Sequence, residues 1–274
     1  MGRITPRRVR FVRATAVALL AGLALLASAG CRGKAVARST SHFRPGTGFV
    51  RCTIEFEGRP HPLWVFLPMD YDPARRYPTI VFLHGLFEAG SDGNAALSGG
   101  LGPVIAREPD RWPFIVLFPQ SSGTWRGAAR ERLVLHSLEW AEQRYAIDRG
   151  RVILAGLSYG GLGTWQIGAR HADRFAALVP VAAFRDLACA DELRDLPVWA
   201  FHNRLDPFVD SDGSQQMCAQ IAQIGGQARY TGFDRVGHDC WEQAVAQTDL
   251  VDWMLRQRAR GGGASARVEF TRSE

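Results

Sequence analysis

The stretch that decides the fold is RGRVILAGLSYGG, residues 149–161. Its run RVILAG (151–156) is mostly apolar, as expected for a strand buried on both faces of a sheet. The run leads into Gly156-Leu157-Ser158-Tyr159-Gly160, a G-x-S-x-G pattern. In enzymes with a nucleophile elbow, the serine of this pattern occupies a strained turn between a strand and a helix, and the glycines let neighbouring backbone approach closely. The pattern is short, so its meaning depends on the rest of the chain.

Similar apolar runs recur along the chain and alternate with segments of helical spacing. Strands are predicted at 49–56, 62–67, 79–84, 114–120, 151–156, 176–182, 197–203 and 228–233, and helices at 134–145, 162–169, 212–224 and 240–256. This alternation predicts an α/β fold with a mostly parallel, doubly wound sheet, and the first two strands predict an N-terminal antiparallel hairpin. Only a short connection separates the strands at 182 and 197, so no large lid is expected.

The N-terminus has the anatomy of an export signal. Five arginines precede the apolar run 14–29, which ends in small residues before Cys31. Ala27-Ser28-Ala29 fits a signal-peptidase site, whereas Ser28–Cys31 resembles a bacterial lipobox with lipidation at Cys31. We therefore expect a periplasmic, cell-surface or secreted protein, with possible membrane attachment through Cys31.

These segments divide the chain into four parts. We predict an export signal at 1–30, a linker at 31–47, a catalytic domain at 48–256 and a disordered tail at 257–274. The net charge of +6 arises in the N-terminal region, because residues 1–54 hold ten basic residues and no acidic one. The remaining chain has no basic excess, and a nucleic-acid partner is not expected.

Four cysteines follow the signal: Cys52, Cys189, Cys218 and Cys240. An even number in an exported protein predicts one or two disulfides, with Cys189–Cys218 as the first choice. The chain contains no Walker A loop, no H-E-x-x-H and no G-x-G-x-x-G. No metal or other cofactor is expected.

The carboxyl ends of parallel strands form one edge of a sheet, where ligands bind. Ser158, Asp206 and His238 each follow a predicted strand, and they occur in the order serine, acid, histidine that nucleophile-elbow enzymes use. Serine needs a base to remove its proton, histidine titrates in the required range, and a carboxylate fixes its tautomer. We predict Ser158 as nucleophile, His238 as base and Asp206 as acid.

Other residues compete for two of these roles. Asp210 and Asp212 lie further from the strand end than Asp206, and Asp212 could cap the next helix. His202 ends a strand close enough to line the site. The remaining histidines lie too early in the chain or in helical stretches, namely His42, His61, His136 and His171.

Acyl transfer also needs hydrogen-bond donors for the oxyanion. The backbone N–H groups of Tyr159, directly after the serine, and of Leu86, after the strand at 79–84, are the predicted pair. Trp125 lies in a polar loop on the same side and is predicted, with His202, to bind substrate. Trp165 lies at helical spacing, which favours a core position.

Five segments together resemble a bacterial α/β-hydrolase group: LPMDYDPARRYPTIVFLHG, FPQSSGTW, DRGRVILAGLSYGGLGTW, WAFHNRLDPFV and RVGHDCW. The group comprises carboxylesterase/phospholipase-like and dienelactone-hydrolase-like enzymes and predicted peptidases related to prolyl oligopeptidase. Over residues 63–253 the resemblance implies the α/β-hydrolase fold with the same triad and oxyanion donors. The chain departs from the group at LFEAGSDG (86–93), where a Gly-Glu-Arg-Gly-like stretch is common, and at Cys240, where serine is commoner.

The predicted function is hydrolysis of small-molecule or polymer-borne carboxylic esters through an acyl-enzyme. Two alternatives remain open: a serine peptidase with the same triad, and a surface lipoprotein that keeps the fold for binding alone.

Overall fold

Eight strands form one sheet in the part of the chain that the structure, a computed structural model, describes: residues 47–259. The strands are β1 (Gly48–Phe56), β2 (Arg59–Leu67), β3 (Tyr77–Leu83), β4 (Ile115–Pro119), β5 (Ile147–Leu157), β6 (Ala177–Val181), β7 (Val198–Leu205) and β8 (Ala228–Val236). Their order is β1-β2-β4-β3-β5-β6-β7-β8, in which the β1–β2 and β2–β4 pairs are antiparallel and all later neighbours are parallel. The predicted α/β fold and its N-terminal hairpin are confirmed. The predicted signal at 1–30, Cys31 and most of the predicted linker and tail lie outside the described residues.

Helices cover both faces of the sheet. They are α1 (Leu101–Arg107), α2 (Ala128–Glu142), α3 (Tyr159–Arg170), α4 (Asp212–Gln223), α5 (Trp241–Gln247) and α6 (Leu250–Arg256). The apolar residues of α2, α3 and α4 pack on one face, and those of α1, α5 and α6 pack on the other. Strands β3, β4 and β6 are buried along their whole length, which explains why they read as continuous apolar runs.

The hairpin is tighter than predicted. The sequence predicts a loop at residues 57–61, but β2 already begins at Arg59. Glu57 and Gly58 alone form the turn, both with positive φ (50° and 71°), as a two-residue type I′ turn requires. β2 therefore includes Pro60 and Pro62. A strand tolerates proline where one side has no partner strand, and this end of β2 pairs only with β1.

The helix predicted at 240–256 is two helices. Thr248 adopts an extended conformation between them. Its hydroxyl donates to Ala244 O at 2.5 Å and accepts the N–H of Leu250 at 3.2 Å, so one side chain ends α5 and begins α6. Helix α1 was not predicted, because its short sequence contains Pro103, which a helix tolerates only in its first turn.

The predicted disulfide between Cys189 and Cys218 is wrong for this structure, in which all four cysteines within residues 47–259 are free. Cys218 is buried on α4, with its thiol directed to Arg229 O at 3.4 Å. The Cys189 thiol instead donates to Asp186 O at 3.0 Å. The number of cysteines does not show which thiols lie close together. Here the two thiols contact different backbone oxygen atoms and form no disulfide.

Among the described helices, none has the length and apolar character needed to cross a membrane.

The start of α3 lies against the end of β3 with no space between them. A Cβ atom at Gly160 would overlap the carbonyl oxygen of Leu83 and crowd that of His84. At Gly156 a Cβ would overlap the carbonyl of Gly160. The glycines of the G-x-S-x-G pattern are therefore required by contact between backbone segments.

We expect Gly160→Ala to destabilise the protein by about 1–3 kcal/mol or more, because the added methyl group must displace backbone. Urea unfolding followed by circular dichroism measures the change. Gly123→Ala is the matched control, since a Cβ there meets no atom within 4 Å. Equal unfolding midpoints for both variants would contradict the close approach.

Candidate active site

Ser158 lies on a strained turn between β5 and α3. Its φ and ψ are 59° and −117°, a conformation that residues other than glycine rarely adopt. The N–H of Ser158 donates to Val181 O at 2.9 Å, which holds the turn against β6. The side chain is 7% exposed. This is the geometry of a nucleophile elbow, with strain stored at the candidate nucleophile.

Asp206 and His238 are joined by a short hydrogen bond. Asp206 follows β7, His238 follows β8, and His238 Nδ1 lies 2.7 Å from Asp206 Oδ2. Because a carboxylate only accepts, we assign the Nδ1 proton to His238, which leaves Nε2 as the acceptor that a general base needs. Ser158 Oγ forms no hydrogen bond to His238 among residues 47–259, a link that is often long before substrate binds.

The Asp206 carboxylate is fully buried and accepts three hydrogen bonds. Its Oδ1 accepts the N–H groups of Phe208 at 2.8 Å and Val209 at 3.1 Å. Its Oδ2 faces His202 Nε2 at 3.3 Å as well as His238. The three hydrogen bonds fix the orientation of the carboxylate and therefore that of the His238 ring, while His202 Nε2 forms its hydrogen bond with Val209 O at 3.1 Å.

Asp210 and Asp212, the alternative acids, have other local contacts at the start of α4. Asp210 Oδ1 accepts the N–H of Asp212 at 2.9 Å, and Asp212 is the first residue of α4. Asp206 is the aspartate that the structure places on His238.

Two residues that the sequence analysis missed hold the His238 loop. Asn203 donates from Nδ2 to Gly237 O at 3.0 Å and to Asp239 O at 3.4 Å, on both sides of the histidine. Asp239 accepts the N–H of Gly100 at 2.8 Å, which ties the loop to the start of α1. The position of Asn203 at the carboxyl end of β7 was the available signal.

The candidate oxyanion donors both begin helices. Leu86 opens the 3-10 helix Leu86–Glu88, and Tyr159 opens α3. N–H groups in the first turn of a helix have no acceptor within it, and the helix dipole favours negative charge there.

The loop that carries Leu86 is fixed by buried polar contacts. Trp125 Nε1 donates to His84 O at 2.9 Å. His84 Nδ1 lies 2.7 Å from Gly85 O, and its Nε2 accepts the N–H of Ser121 at 3.0 Å. Gln120 donates to Glu88 O at 3.0 Å. The donor and acceptor partners require a neutral His84 with its proton on Nδ1.

Trp125 and His202, the predicted substrate-binding residues, lie in the interior. Trp125 is 1% exposed and His202 is 0% exposed. Trp125 supports the Leu86 loop, whereas His202 lies behind Asp206 and also contacts Ser214 Oγ at 2.8 Å. This placement does not support substrate contact by either side chain. Trp165 lies in the core, as expected.

The exposed rim of the site is aromatic, and its two phenylalanines are not among the residues that the sequence predicts for the site. Phe87 is 77% exposed and Phe208 is 64% exposed. Their ring centroids lie 6.0 Å apart, and the Phe208 ring lies 5.4 Å from that of His238. Exposed aromatic side chains beside a candidate catalytic residue offer an apolar surface to a ligand.

Burial shifts the titration of several site residues. Burial lowers the pKa of His84 and His202 below the ordinary value of 6.5, although Asp206 partly opposes this at His202. Burial raises the pKa of Glu88, and the neighbouring Asp239 adds to that rise. Within residues 47–259, no group of three or more histidine, cysteine or acidic side chains is arranged to hold a metal ion.

We expect His84 to weaken the fold in acid. Its pKa is lower in the folded chain, so its neutral form favours folding fully above pH 6.5, and that stability is lost as pH falls from 6.5 toward the folded pKa. The slope reaches about 1.4 kcal/mol per pH unit for one proton. Urea unfolding between pH 5 and 8 should show a smaller loss for His84→Gln, in which an amide can replace both ring contacts. Parallel curves for the variant and the parent would contradict this.

Known proteins resemble the chain in both sequence and structure. Residues 134–221 match the prolyl oligopeptidase family. A bifunctional acetylxylan esterase/xylanase of Neocallimastix patriciarum is 25% identical over 159 residues, which cover 56% of this chain and 22% of that protein. The chain therefore spans about a fifth of the length of this relative.

Solved structures of esterases superpose on the chain. A thermostable esterase matches with a TM-score of 0.69 and 28% identity, over 77% of this chain and 63% of the other. A ferulic acid esterase matches with a TM-score of 0.60 and 20% identity, over 76% of this chain and 97% of the other. With the sheet order and the elbow, these likenesses settle the fold: the chain has the α/β-hydrolase fold, which it shares with these two esterases.

Proposed function

We propose that the protein is a serine hydrolase that cleaves carboxylic esters through an acyl-enzyme. The observation that carries this proposal is the buried Asp206–His238 hydrogen bond at the same sheet edge as the strained Ser158 turn. Both likenesses of 25% identity or more reported above are to proteins named as esterases.

The proposed reaction has two stages. Ser158 Oγ attacks the ester carbonyl carbon while His238 Nε2 takes the hydroxyl proton, and the N–H groups of Leu86 and Tyr159 stabilise the oxyanion. The tetrahedral intermediate collapses, the carbon–oxygen bond to the alcohol breaks, and His238 returns the proton to the departing oxygen. Water, activated by His238, then attacks the acyl-enzyme and releases the acid and free Ser158.

Asp206 acts in both stages through His238. Its carboxylate holds the ring tautomer and stabilises the imidazolium that forms twice in each cycle. His202 and the N–H groups of Phe208 and Val209 keep that carboxylate in place, which makes them positioning groups in this mechanism.

The exposed aromatic rim and the short connection between β6 and β7 favour esters on large substrates, which need an open site. Phe87 and Phe208 present an exposed apolar surface next to His238. The connection between β6 and β7 contains only the short 3-10 helices Leu187–Cys189 and Asp191–Leu193. An open site of this kind suits an ester borne on a polymer, such as the acetyl or feruloyl esters implied by the names of the relatives.

A peptidase with the same residues is the second candidate, because residues 134–221 match the prolyl oligopeptidase family. Ester and amide substrates with the same acyl group separate the two. The proposal expects kcat/KM to be much higher for the ester, and amide turnover at comparable kcat/KM would reverse the ranking.

We expect Ser158→Ala and Asp206→Asn to abolish most ester turnover. Loss of the nucleophile should lower kcat by about 10⁴–10⁶-fold, and loss of the acid by about 10⁴-fold, since the amide favours the wrong histidine tautomer. Hydrolysis of p-nitrophenyl acetate by purified protein measures both.

Two matched variants control this experiment. Asp210→Asn changes the neighbouring aspartate, whose carboxylate contacts Asp212 N and not His238, and should leave kcat nearly unchanged. Ser98→Ala alters an exposed serine and should do the same. Activity that survives Asp206→Asn but not Asp210→Asn would assign the acid role to Asp210 instead.

We also propose that the enzyme is exported, on the basis of the arginine-rich start, the apolar run at 14–29 and Cys31. If Cys31 is lipidated, Cys31→Ala should move the protein from the membrane fraction to the soluble fraction of the producing bacterium. Immunoblots of fractionated cells and medium measure this. An unaltered protein found wholly in the medium would instead favour cleavage after Ala29, and retention in the cytoplasm would contradict export.

A further inference from the structure

A cavity of about 550 Å³ lies beside the candidate active site and has no part in the mechanism above. Its wall includes the hairpin turn, the start of β2, the loop at 90–91 and the start of α2. Its volume is within the range of about 300–1,000 Å³ that is common for small-ligand sites. We call it the hairpin cavity.

The hairpin cavity opens at the edge of the sheet that carries Ser158. β2 runs antiparallel to β4 and pairs Leu63 with Pro119, so the start of β2 lies at the carboxyl end of β4. Two strands, β4 and β3, separate β2 from β5. At about 4.8 Å per strand, the cavity wall on β2 lies roughly 15 Å across the sheet from the serine turn.

Gln120 connects the cavity to the loop that carries Leu86. It lines the cavity, donates from Nε2 to Glu88 O at 3.0 Å and accepts the N–H of Gly93 at 2.5 Å. The loop that carries Leu86 therefore forms a common wall between the catalytic residues and the cavity.

The charged groups in the cavity wall are mainly cationic. Arg59 and Arg130 both line it, and within residues 47–259 neither forms an ion pair. Arg130 Nη2 donates to Ser122 Oγ at 2.8 Å, which holds that guanidinium at the cavity. The wall also contains Glu57, but Arg132 binds its carboxylate at 3.0 and 2.5 Å.

The two arginines also affect the pKa of His61, another residue of the wall. Burial lowers the pKa of His61 first, and Arg130 and Arg59 lower it further, while Glu57 and Glu55 oppose them. His61 therefore adds little positive charge of its own at neutral pH, and the two arginines account for the positive charge of the wall.

Other wall residues suit a hydroxylated ring. Ser91 and Ser122 are exposed hydroxyl-bearing residues of the wall. Phe56 and His61 also line the cavity and form an edge-to-face pair with centroids 5.5 Å apart, which adds aromatic surface to the wall. Guanidinium groups bind carboxylates in a planar, bidentate manner.

We propose that the hairpin cavity is a subsite for a carboxylate-bearing sugar unit of the polysaccharide that carries the ester. The inference rests on the proposed ester hydrolase function. A chain that enters the cavity would place an ester two or three sugar units away near Ser158. Arg59 and Arg130 would then select chains with uronate units close to the ester.

Binding of two oligosaccharides of equal length tests this proposal. Isothermal titration calorimetry of the full protein with tetragalacturonate and with neutral xylotetraose should show binding at least about tenfold tighter for the charged ligand. The double variant Arg59→Gln/Arg130→Gln should lose that preference. Arg75→Gln, which removes an exposed arginine before β3, at the opposite end of the strand, should keep it.

Several results would overturn the subsite. These are no binding of tetragalacturonate, equal binding of the two oligosaccharides, or a preference that persists in the double variant. Binding to phosphatidylglycerol vesicles without binding to tetragalacturonate would instead identify a surface for anionic lipid.

Hydrolysis of p-nitrophenyl acetate by the same preparation separates this inference from the proposed function. Hydrolysis without a preference for tetragalacturonate overturns the subsite alone. A preference for tetragalacturonate without hydrolysis of any ester overturns the proposed function and leaves an anion-binding cavity.

Discussion

The backbone contact between the start of α3 and the end of β3 is the constraint on which the rest of the site depends. Gly160 lies against the carbonyl groups of Leu83 and His84, where any side chain would overlap them. The contact places Ser158 at the end of β5 next to the loop that carries Leu86. The candidate nucleophile and a candidate oxyanion donor, which follow different strands, are therefore positioned by one packing requirement. It also explains why the strained φ of Ser158 is tolerated, since both flanks of the turn are held.

Buried polar groups fix the orientation of the other candidate site residues. Asp206 is removed from water, and three hydrogen-bond donors compensate for that burial and orient the carboxylate. His84 fixes the loop that carries Leu86 in a similar way, because its ring accepts the N–H of Ser121 and donates to Gly85 O. Such networks are costly when a partner is lost, so we expect His84, His202 and Asn203 to affect the candidate site through the groups that they hold. These networks therefore join the loops that form the candidate active site at one edge of the sheet.

The sequence predicted the parts of the molecule that depend on local pattern. Buried strands, the elbow and the position of each triad candidate after a strand follow from apolar runs and chain order, and the sheet agrees with them. What it could not predict depends on contacts between distant segments. Trp125 lies in a polar loop by sequence, yet its ring packs in the core and its Nε1 reaches His84 O. The break at Thr248 depends on a hydroxyl with two backbone partners, and the cysteine count could not reveal that each thiol faces a different neighbour.

The central claim is that Ser158 is an activated nucleophile, and covalent labelling tests it most directly. The folded protein would be treated with a fluorophosphonate, digested with trypsin and mapped by mass spectrometry. Ser158 is the only serine of the peptide 152–170, so a label there identifies it without ambiguity. We predict one phosphonyl group per molecule on this peptide and none after prior denaturation. A folded protein that stays unlabelled, or one labelled on another peptide, would contradict the account.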